Sequence, residues 1–424
     1  MGEGFQTPPG THDVLAPESA RWEAAVASFA GVVGRAGYGL HIPPMFEDVG
    51  VFLRVGETTD VISKEMYVFE DRGNRTLALR PEGTASVVRA FLQHGPPVPF
   101  KAWYAGPKFR YERAQAGRYR QHHQVGLECL GIDDPDVDVE VISLCWSFLA
   151  GLGLSRLRLL VNSLGDSASR AAYRDALMAH LEPHREAMGD NDRRRLDQNP
   201  LRVLDTKDPD LAQMVAGAPA ATDHLTSEAS AHFDRVLSGL DAAGIPYTLE
   251  PRLVRGLDYY THTLFEVQAD ALEGAQSAVG GGGRYDGLAE ALGGKPTPGV
   301  GFGIGLERTL LACDAEGVFP VPPTRVDVFV VDAVGGTAAR DLCDELRRAG
   351  IGTDRAWGGR SFKAQFKAAD RSGARLALVV GDDEHQRGVV AIRPLDGSAP
   401  QAEVARADVA REVGRRLDRR QGQP

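Results

Sequence analysis

No stretch of eighteen apolar residues occurs in the 424-residue chain, so no membrane partner or membrane-spanning helix is expected. The opening residues, MGEGFQTPPGTHD, lack the basic patch and apolar run of a secretory leader. Cysteine is scarce. Cys129, Cys145, Cys313 and Cys343 form no C-x-x-C pair, which excludes a disulfide framework and a zinc-ligand pattern. Cys129 and Cys145 stand in apolar surroundings and read as small core residues. A reducing, cytoplasmic setting is the expectation. A basic excess is also missing: 48 Lys and Arg against 58 Asp and Glu leave a net charge of −10. That excludes a polybasic protein whose whole surface attracts phosphate. There is no internal repeat and no P-loop. What is present is a chain 43% hydrophobic and 25% charged, long enough for two or three globular domains with real cores.

The clearest boundary is FPVPPTR, Phe319 to Arg325, whose three prolines interrupt helix and strand alike. Domains over 1–322 and 325–424 follow. The second carries 18 basic and 15 acidic side chains, a net of +3 on an otherwise acidic chain, compatible with a polyanion touching that end. Its pattern is α/β. RVDVFVVD, ARLALVVGDDE and GVVAIRPL read as strands and SFKAQFKAADRSG as a helix. TAARDLCDELRRAG places Ala339, Leu342, Cys343 and Leu346 on one helical face, and a terminal helix is expected from about Glu403. In the first domain strand-like runs lie on both sides of an Ala-rich, charged block at about 166–242, which reads as a helical insertion in an α+β domain.

The densest chemical signal is KFRYERAQAGRYRQHHQVGLE, Lys108 to Glu128, two strand-like arms around a loop. Lys108, Arg110, Arg113, Arg118 and Arg120 crowd there beside one acid, Glu112. Like charges on a hairpin repel, and a polyphosphate held by forked guanidiniums would offset that cost. VGGGGRYDG, Val279 to Gly287, is either a close approach of backbone to ligand or a bare tight turn. PGVGFGIGLER, Pro298 to Arg308, has glycine at every second position. Its flat face suits a planar ring, or a strand crossed closely by other backbone. LRPEGTAS and LVRGLDYYTHTLFE add Glu82, Thr84, Arg255, Asp258, Tyr259 and Tyr260.

Together these segments resemble the histidyl-tRNA synthetases, a branch of the class II aminoacyl-tRNA synthetases, over nearly the whole chain. GYGLHIPPMFE, with Pro44, is similar to the first class II motif, which lies at a dimer interface. Phe109-Arg110-Tyr111-Glu112 through Glu128 resembles the second, and GVGFGIGLER with Arg308 the third. LVRGLDYYT, GGRYDGL, GETTDVISKEMYVF and LRPEGTA are similar to segments of the histidine branch. The resemblance implies an antiparallel sheet with flanking helices, a helical insertion and a C-terminal α/β anticodon-binding domain. It implies a homodimer that activates L-histidine with ATP, releases pyrophosphate, and passes histidine to the 3′ end of tRNA(His). Mg²⁺ is expected with ATP, and no tightly held protein metal.

By the same resemblance, Arg110 contacts the α-phosphate, Arg118 and Arg308 hold the β/γ end, and Glu112 reads adenine. Arg255 is the branch's catalytic arginine, bridging the histidine carboxylate and α-phosphate, with Arg110 beside it. Glu82 and Tyr260 satisfy the imidazole, joined by Tyr259, while Thr84, Gln124 and Glu128 hold the α-ammonium. A polar pocket of this kind rejects apolar analogues by about 10⁴ or more, because its own groups would be left unpaired. Arg360, Lys363 and Lys367 are candidates for RNA phosphate.

Three positions depart from the family pattern: His12 for Arg, Ala114 for Pro, and His122 for a Phe that stacks on adenine. A histidine at 122 is expected to stack less area and to gain charge near pH 6.5, weakening ATP binding with falling pH. The other functional class is a paralogue, the histidine-binding regulatory subunit of ATP phosphoribosyltransferase. It typically lacks the C-terminal domain and the catalytic residues that Arg255, Arg308 and the Phe109–Glu112 segment resemble.

Overall fold

The computed structural model describes residues 5–418 apart from Val55, Glu57, Thr58, Ala114, Lys207 and Thr324. The chain divides into two units, Met1–Pro320 and Val321–Pro424. Ala114, and part of the GETTDVISKEMYVF segment, lie outside the described residues.

The first unit begins with short strands β1 (Gly39–Leu40), β2 (Phe46–Asp48), β3 (Val68–Glu70) and β4 (Thr76–Leu79). The long β5 (Phe100–Phe109) and β6 (Gln121–Leu130) follow, then β7 (Leu157–Ser163), β8 (Tyr247–Leu249), β9 (Thr261–Ala269), β10 (Ala278–Arg284) and β11 (Gly299–Gly305). Eight of them form one sheet in the order β1-β5-β6-β11-β10-β9-β7-β8. Its interior pairs are antiparallel, whereas the two edge strands, β1 and β8, lie parallel to their neighbours. β2, β4 and β3 form a separate small sheet.

Period-two alternation gives the large sheet two unlike faces. Val125, Leu127 and Cys129 of β6, Phe265, Val267 and Ala269 of β9, and Val300, Phe302 and Ile304 of β11 enter one apolar core. Helices Glu18–Gly34, Pro135–Gly151 and Ser227–Ala242 supply the other side. Each Val, Leu, Ile or Phe among them gains about 1.5–3 kcal/mol by burial, and a one-residue slip would expose the whole set, so the register is fixed. The intervening residues then necessarily point the other way: Gln124 and Glu128, Gly301 and Gly303, Glu266 and Gln268. The polar face of the sheet follows directly from its apolar one.

The four-glycine run is neither a loop nor a turn. It is strand β10, wedged between β9 and β11. A Cβ on Gly282 would stand 1.9 Å from the carbonyl oxygen of Gly301, and one on Gly301 would stand 1.8 Å from Glu128 Oε2. Glycine is required there by close packing and not by backbone conformation.

In the helical block, Asp166 caps helix Ser167–Leu181 by accepting from the Ser169 amide at 2.8 Å. Tyr173, Leu177, Leu181 and Leu196 bury into a second core with Tyr260 and Tyr285. Helix Ser227–Ala242, continuous with this block in sequence, instead buries Phe233, Val236 and Leu240 in the first core, under the sheet.

The second unit contains β12 (Val328–Asp332), β13 (Thr353–Arg355), β14 (Leu376–Val380), β15 (Val389–Pro394) and β16 (Ala402–Ala405), in the order β13-β12-β14-β15-β16. β12 runs parallel to both its neighbours, and the last two strands are antiparallel. Helix Thr337–Arg348 buries Ala339, Leu342, Cys343 and Leu346, as their spacing predicts. The C-terminal helix starts later than expected, at Val409. Glu403 lies in edge strand β16, where it pairs with Arg387 at 2.7 Å. The alternating burial of Ala402–Ala405 is a two-residue period, not a helical one. Among the described residues no helix is long and apolar enough to cross a membrane.

Candidate active site

The polar face of the large sheet opens into a cavity of about 410 Å³. Arg110, Glu112, Arg118, His122, Gln124, Arg255 and Arg308 all line it, although they come from three separate parts of the chain. The β5–β6 hairpin supplies the first five. Its tip turns at Gly117, where φ is +69°, and closes through the mutual backbone pair Gln115–Arg118 at 3.0 and 2.9 Å. Arg308, in the first turn of helix Leu306–Glu316, donates from Nε to the Gly117 carbonyl at 3.1 Å and from Nη1 to that of Ala278 at 2.9 Å. It therefore ties the hairpin tip to β10.

Of the five cations crowded in this hairpin, only Arg110 and Arg118 line the cavity. Glu112 sits between them, 2.6 Å from Arg118 Nε and 4.0 Å from Arg110 Nη1. Arg120 stacks on the Tyr111 ring at 3.9 Å. Lys108 turns into the sheet, 1% exposed, with Nζ 4.6 Å from the Tyr104 ring centre. Burial, and Arg80 close by, lower its pKa to about 7 against the pull of Glu82 and Glu128. The repulsion is relieved by dispersing the charges to different sides, leaving two guanidiniums for the cavity.

His122 corrects the expectation of a charge near pH 6.5. Burial, and then Arg110, Lys108 and Arg308, hold its pKa well below the usual range. Its ring is neutral at physiological pH.

Arg255 donates from Nη1 to Glu266 Oε2 at 2.5 Å, and Glu266 Oε1 accepts from Gln268 at 2.9 Å. Gly281 makes room for this: its Cβ would stand 3.0 Å from the Arg255 guanidinium carbon. Glu307 accepts from the His123 amide at 2.8 Å and contacts His123 Nδ1 at 3.0 Å. Glu266 and Gln268 were absent from the sequence reading. Their signal is two polar residues at i, i+2 alternating with the apolar Phe265, Val267 and Ala269 in strand THTLFEVQA, pointing to the face opposite the core.

The remaining candidates, Glu82, Thr84, Glu128, Tyr259 and Tyr260, do not line this cavity; they form a polar layer, buried except for the half-buried Tyr259. Glu128 is fully buried and accepts from Thr84 Oγ1 at 2.7 Å, Tyr104 at 3.2 Å and Tyr285 at 2.5 Å. Burial outweighs these hydrogen bonds and pushes its pKa up to about 8. Glu82 accepts from the amides of Thr84 at 2.6 Å and Ala85 at 2.7 Å, where helix Thr84–His94 begins. Burial raises its pKa too. The rings of Tyr259 and Tyr260 are 4.7 Å apart, and Tyr259 meets Tyr285 edge-on at 5.8 Å. Arg255 joins the two groups, since it also borders a small cleft with Tyr260. Of the two tyrosines that donate to Glu128, Tyr285 stands in the GGRYDGL segment, whereas Tyr104 carries no sequence signal beyond being aromatic.

Asp258 belongs to neither group and accepts from Arg202 at 2.7 Å. His12, for which the sequence offers no reason, packs its ring 4.5 Å from Tyr119 on the hairpin tip. Among the described residues no group of three or more His, Cys, Asp or Glu is arranged to hold a metal ion.

The arrangement can bind a polyanion with guanidiniums at one end and a small polar molecule against buried carboxyls and phenols at the other. Comparison with known proteins agrees. The histidyl-tRNA synthetase family profile matches residues 10–309, and an anticodon binding domain profile matches 326–416. The chain is 52% identical over 397 residues to a histidine–tRNA ligase of Rhodococcus erythropolis, covering 92% of this chain and 93% of that protein. To that of Mycolicibacterium vanbaalenii it is 49% identical over 419 residues, covering 97% and 98%. The crystal structure of apo histidyl-tRNA synthetase from S. aureus superposes with a TM-score of 0.81 at 36% identity, covering 97% of this chain and 100% of that one. With the likeness running through both units and both profiles, the chain belongs to the histidyl-tRNA synthetase family.

Proposed function

We propose that the protein is a histidine–tRNA ligase, using ATP to form histidyl-adenylate and pyrophosphate and then esterifying the 3′ end of tRNA(His). The observation that carries this is the convergence of Arg110, Arg118, Arg255 and Arg308 on one cavity beside the buried Glu82–Glu128–tyrosine layer. In the reaction the histidine carboxylate attacks the α-phosphorus, and pyrophosphate leaves with the bonding electrons. Little covalent chemistry falls to the protein; positioning and charge neutralisation dominate. Arg110 steadies the α-phosphate, Arg118 and Arg308 the leaving end, and Arg255 the carboxylate and α-phosphate together. Glu112 and His122 hold adenine. Glu82, Tyr259 and Tyr260 receive the imidazole, and Thr84, Gln124 and Glu128 the α-ammonium.

Mg²⁺ enters with ATP. The cavity carboxylates Glu112, Glu266 and Glu307 are already engaged by Arg118, Arg255 and His123, and the phosphates that bring the ion would supply oxygen ligands for it. Homodimerisation is supported by exposed apolar side chains around the Pro44 segment: Leu40, Ile42, Met45 and Phe46 are 56, 80, 53 and 53% exposed, the kind of surface that marks an interaction site. A cytoplasmic location fits the four free cysteines. The regulatory-subunit reading is disfavoured by the intact arginine set and the anticodon-domain match. Transfer of labelled histidine to a tRNA(His) transcript tests the proposal; a folded, histidine-binding protein that charges no tRNA would overturn it.

A further inference from the structure

We propose that Lys108 is a further specificity-determining residue of the amino-acid subsite, its ammonium donating to the acceptor nitrogen of the substrate's neutral imidazole. This rests on the ligase reading above and adds a contact to the buried polar layer. Lys108 pairs with His122 across β5 and β6, while Gly106 and Ala102 pair with Gln124 and Glu128. Residues directly opposite in an antiparallel pair share a face, so Lys108 stands on the polar face with Gln124 and Glu128. Its stem runs back along the strand, and Nζ comes to rest 4.6 Å from the centre of the Tyr104 ring. The Tyr104 hydroxyl in turn donates to Glu128 at 3.2 Å. The Glu82–Thr84 turn covers the same ring, so closely that a Cβ on Gly83 would stand 2.4 Å from Tyr104 Cζ.

The charged groups around Lys108 have their hydrogen bonds. Glu82 accepts from the Thr84 and Ala85 amides, and Glu128 from the hydroxyls of Thr84, Tyr104 and Tyr285. Arg80 donates to the carbonyls of Pro107 and Pro43, each at 2.8 Å, and Arg110 to that of Pro81 at 2.9 Å. Lys108 differs. It is 1% exposed, and among the described residues no hydrogen bond or ion pair reaches Nζ, whose one contact is the face of Tyr104. A buried ammonium with all its donors unused is costly, and an acceptor brought by the substrate relieves that cost.

Elimination identifies the acceptor. The α-ammonium of a bound histidine is excluded, because two cations repel. Its carboxylate must reach the α-phosphate in the cavity where Arg110, Arg118, Arg255 and Arg308 converge, and Lys108 does not line that cavity. The imidazole remains. A neutral imidazole carries one N–H and one lone pair; Glu82 accepts from the first, and Lys108 supplies the donor that a carboxylate cannot. The two side chains together hold one tautomer of the ring. They turn away a protonated ring, which has no acceptor, and any side chain with a C–H in that place.

The test compares the full wild-type chain with Lys108→Met by equilibrium dialysis of L-histidine, of ATP, and of the two pyrrolylalanine isomers, in which a C–H replaces the acceptor nitrogen. Lys108→Met is expected to weaken histidine binding about 10- to 150-fold, the range for a hydrogen bond from a charged donor. It should weaken neither ATP nor either pyrrole analogue. An equal loss for histidine and the analogues would mean that Lys108 acts by charge balance alone and would overturn the assignment, as would an equal loss for ATP or an unchanged affinity for histidine. If the variant does not fold, magnetic resonance of the wild type isotope-labelled at lysine Nζ decides the question. Saturating histidine should then move one lysine signal that neither analogue moves at saturation; equal movement by all three ligands, or none, would overturn the contact. The expected binding pattern in a chain that charges no tRNA would contradict the ligase reading and leave the contact standing, whereas a chain that binds no histidine overturns both.

Discussion

Arg255 and Glu266 form an ion pair, Nη1 to Oε2 at 2.5 Å, on the wall of the cavity that Arg110, Arg118 and Arg308 also line. Arg255 comes from the irregular segment before β9 and Glu266 from β9 itself, so a rigid strand holds the guanidinium. Glu266→Ala should slow adenylate formation by about 10²-fold through misplacement of Arg255. Glu266→Gln keeps an acceptor and should lose less. Single-turnover kinetics at saturating ATP and histidine separate this from weaker substrate binding, and equal losses in both variants would argue against a positioning role.

His122 stays neutral because burial and three neighbouring cations depress its pKa. The ratio of ATP KM between wild type and His122→Phe should therefore be constant from pH 6 to pH 8. In the unfolded chain the imidazole takes up a proton below about pH 6.5, whereas the folded one does not. Its contribution to stability is present above that pH and is lost as the pH falls. A ratio that climbs toward pH 6 would show that the ring is protonated in the folded protein.

Glu128 carries the opposite sign. Its pKa rises on folding to about 8, chiefly through burial, so the folded state binds more protons than the unfolded one between about pH 4.3 and pH 8. Stability falls as pH rises through that window, by up to about 1.4 kcal/mol per unit. Denaturant titrations of Glu128→Gln against wild type should show the slope reduced in the variant. Parallel curves would mean that the three hydroxyl donors keep the group ionised.

Arg284 and Asp138 are both 0% exposed and joined through two nitrogens of the guanidinium. This pair fastens the end of β10 to helix Pro135–Gly151. Asp138→Ala leaves the buried cation with only Asp286, 3.3 Å from Nη1, as an anionic partner and should cost about 3 kcal/mol. A double replacement by apolar residues of similar volume should restore much of that loss in a urea titration.

The sequence made the β5–β6 hairpin and the face of helix Thr337–Arg348 legible because alternation and helical spacing are local properties. It did not reveal β10, since four glycines carry no strand propensity; the reason for them is close packing against both neighbouring strands, with the Phe265, Gly301 and Thr263 carbonyls next to Gly281, Gly282 and Gly283, which are tertiary contacts. The cavity cations Arg110, Arg118, Arg255 and Arg308 were readable from the family resemblance, and the structure brings them together. What escaped was which cations the fold turns away: Lys108 and Arg120 share the hairpin with Arg110 but face Tyr104 and Tyr111. The neutral state of His122 was likewise invisible, because its cause is the company of residues distant in sequence.

The central claim is tested most directly by ATP–pyrophosphate exchange with each of the twenty amino acids, on the wild-type chain and on Arg255→Ala. Exchange supported by histidine alone, and reduced about 10²–10³-fold in the variant as for loss of one transition-state donor, is the predicted result. Exchange that does not depend on histidine, or that survives intact in Arg255→Ala, would contradict it.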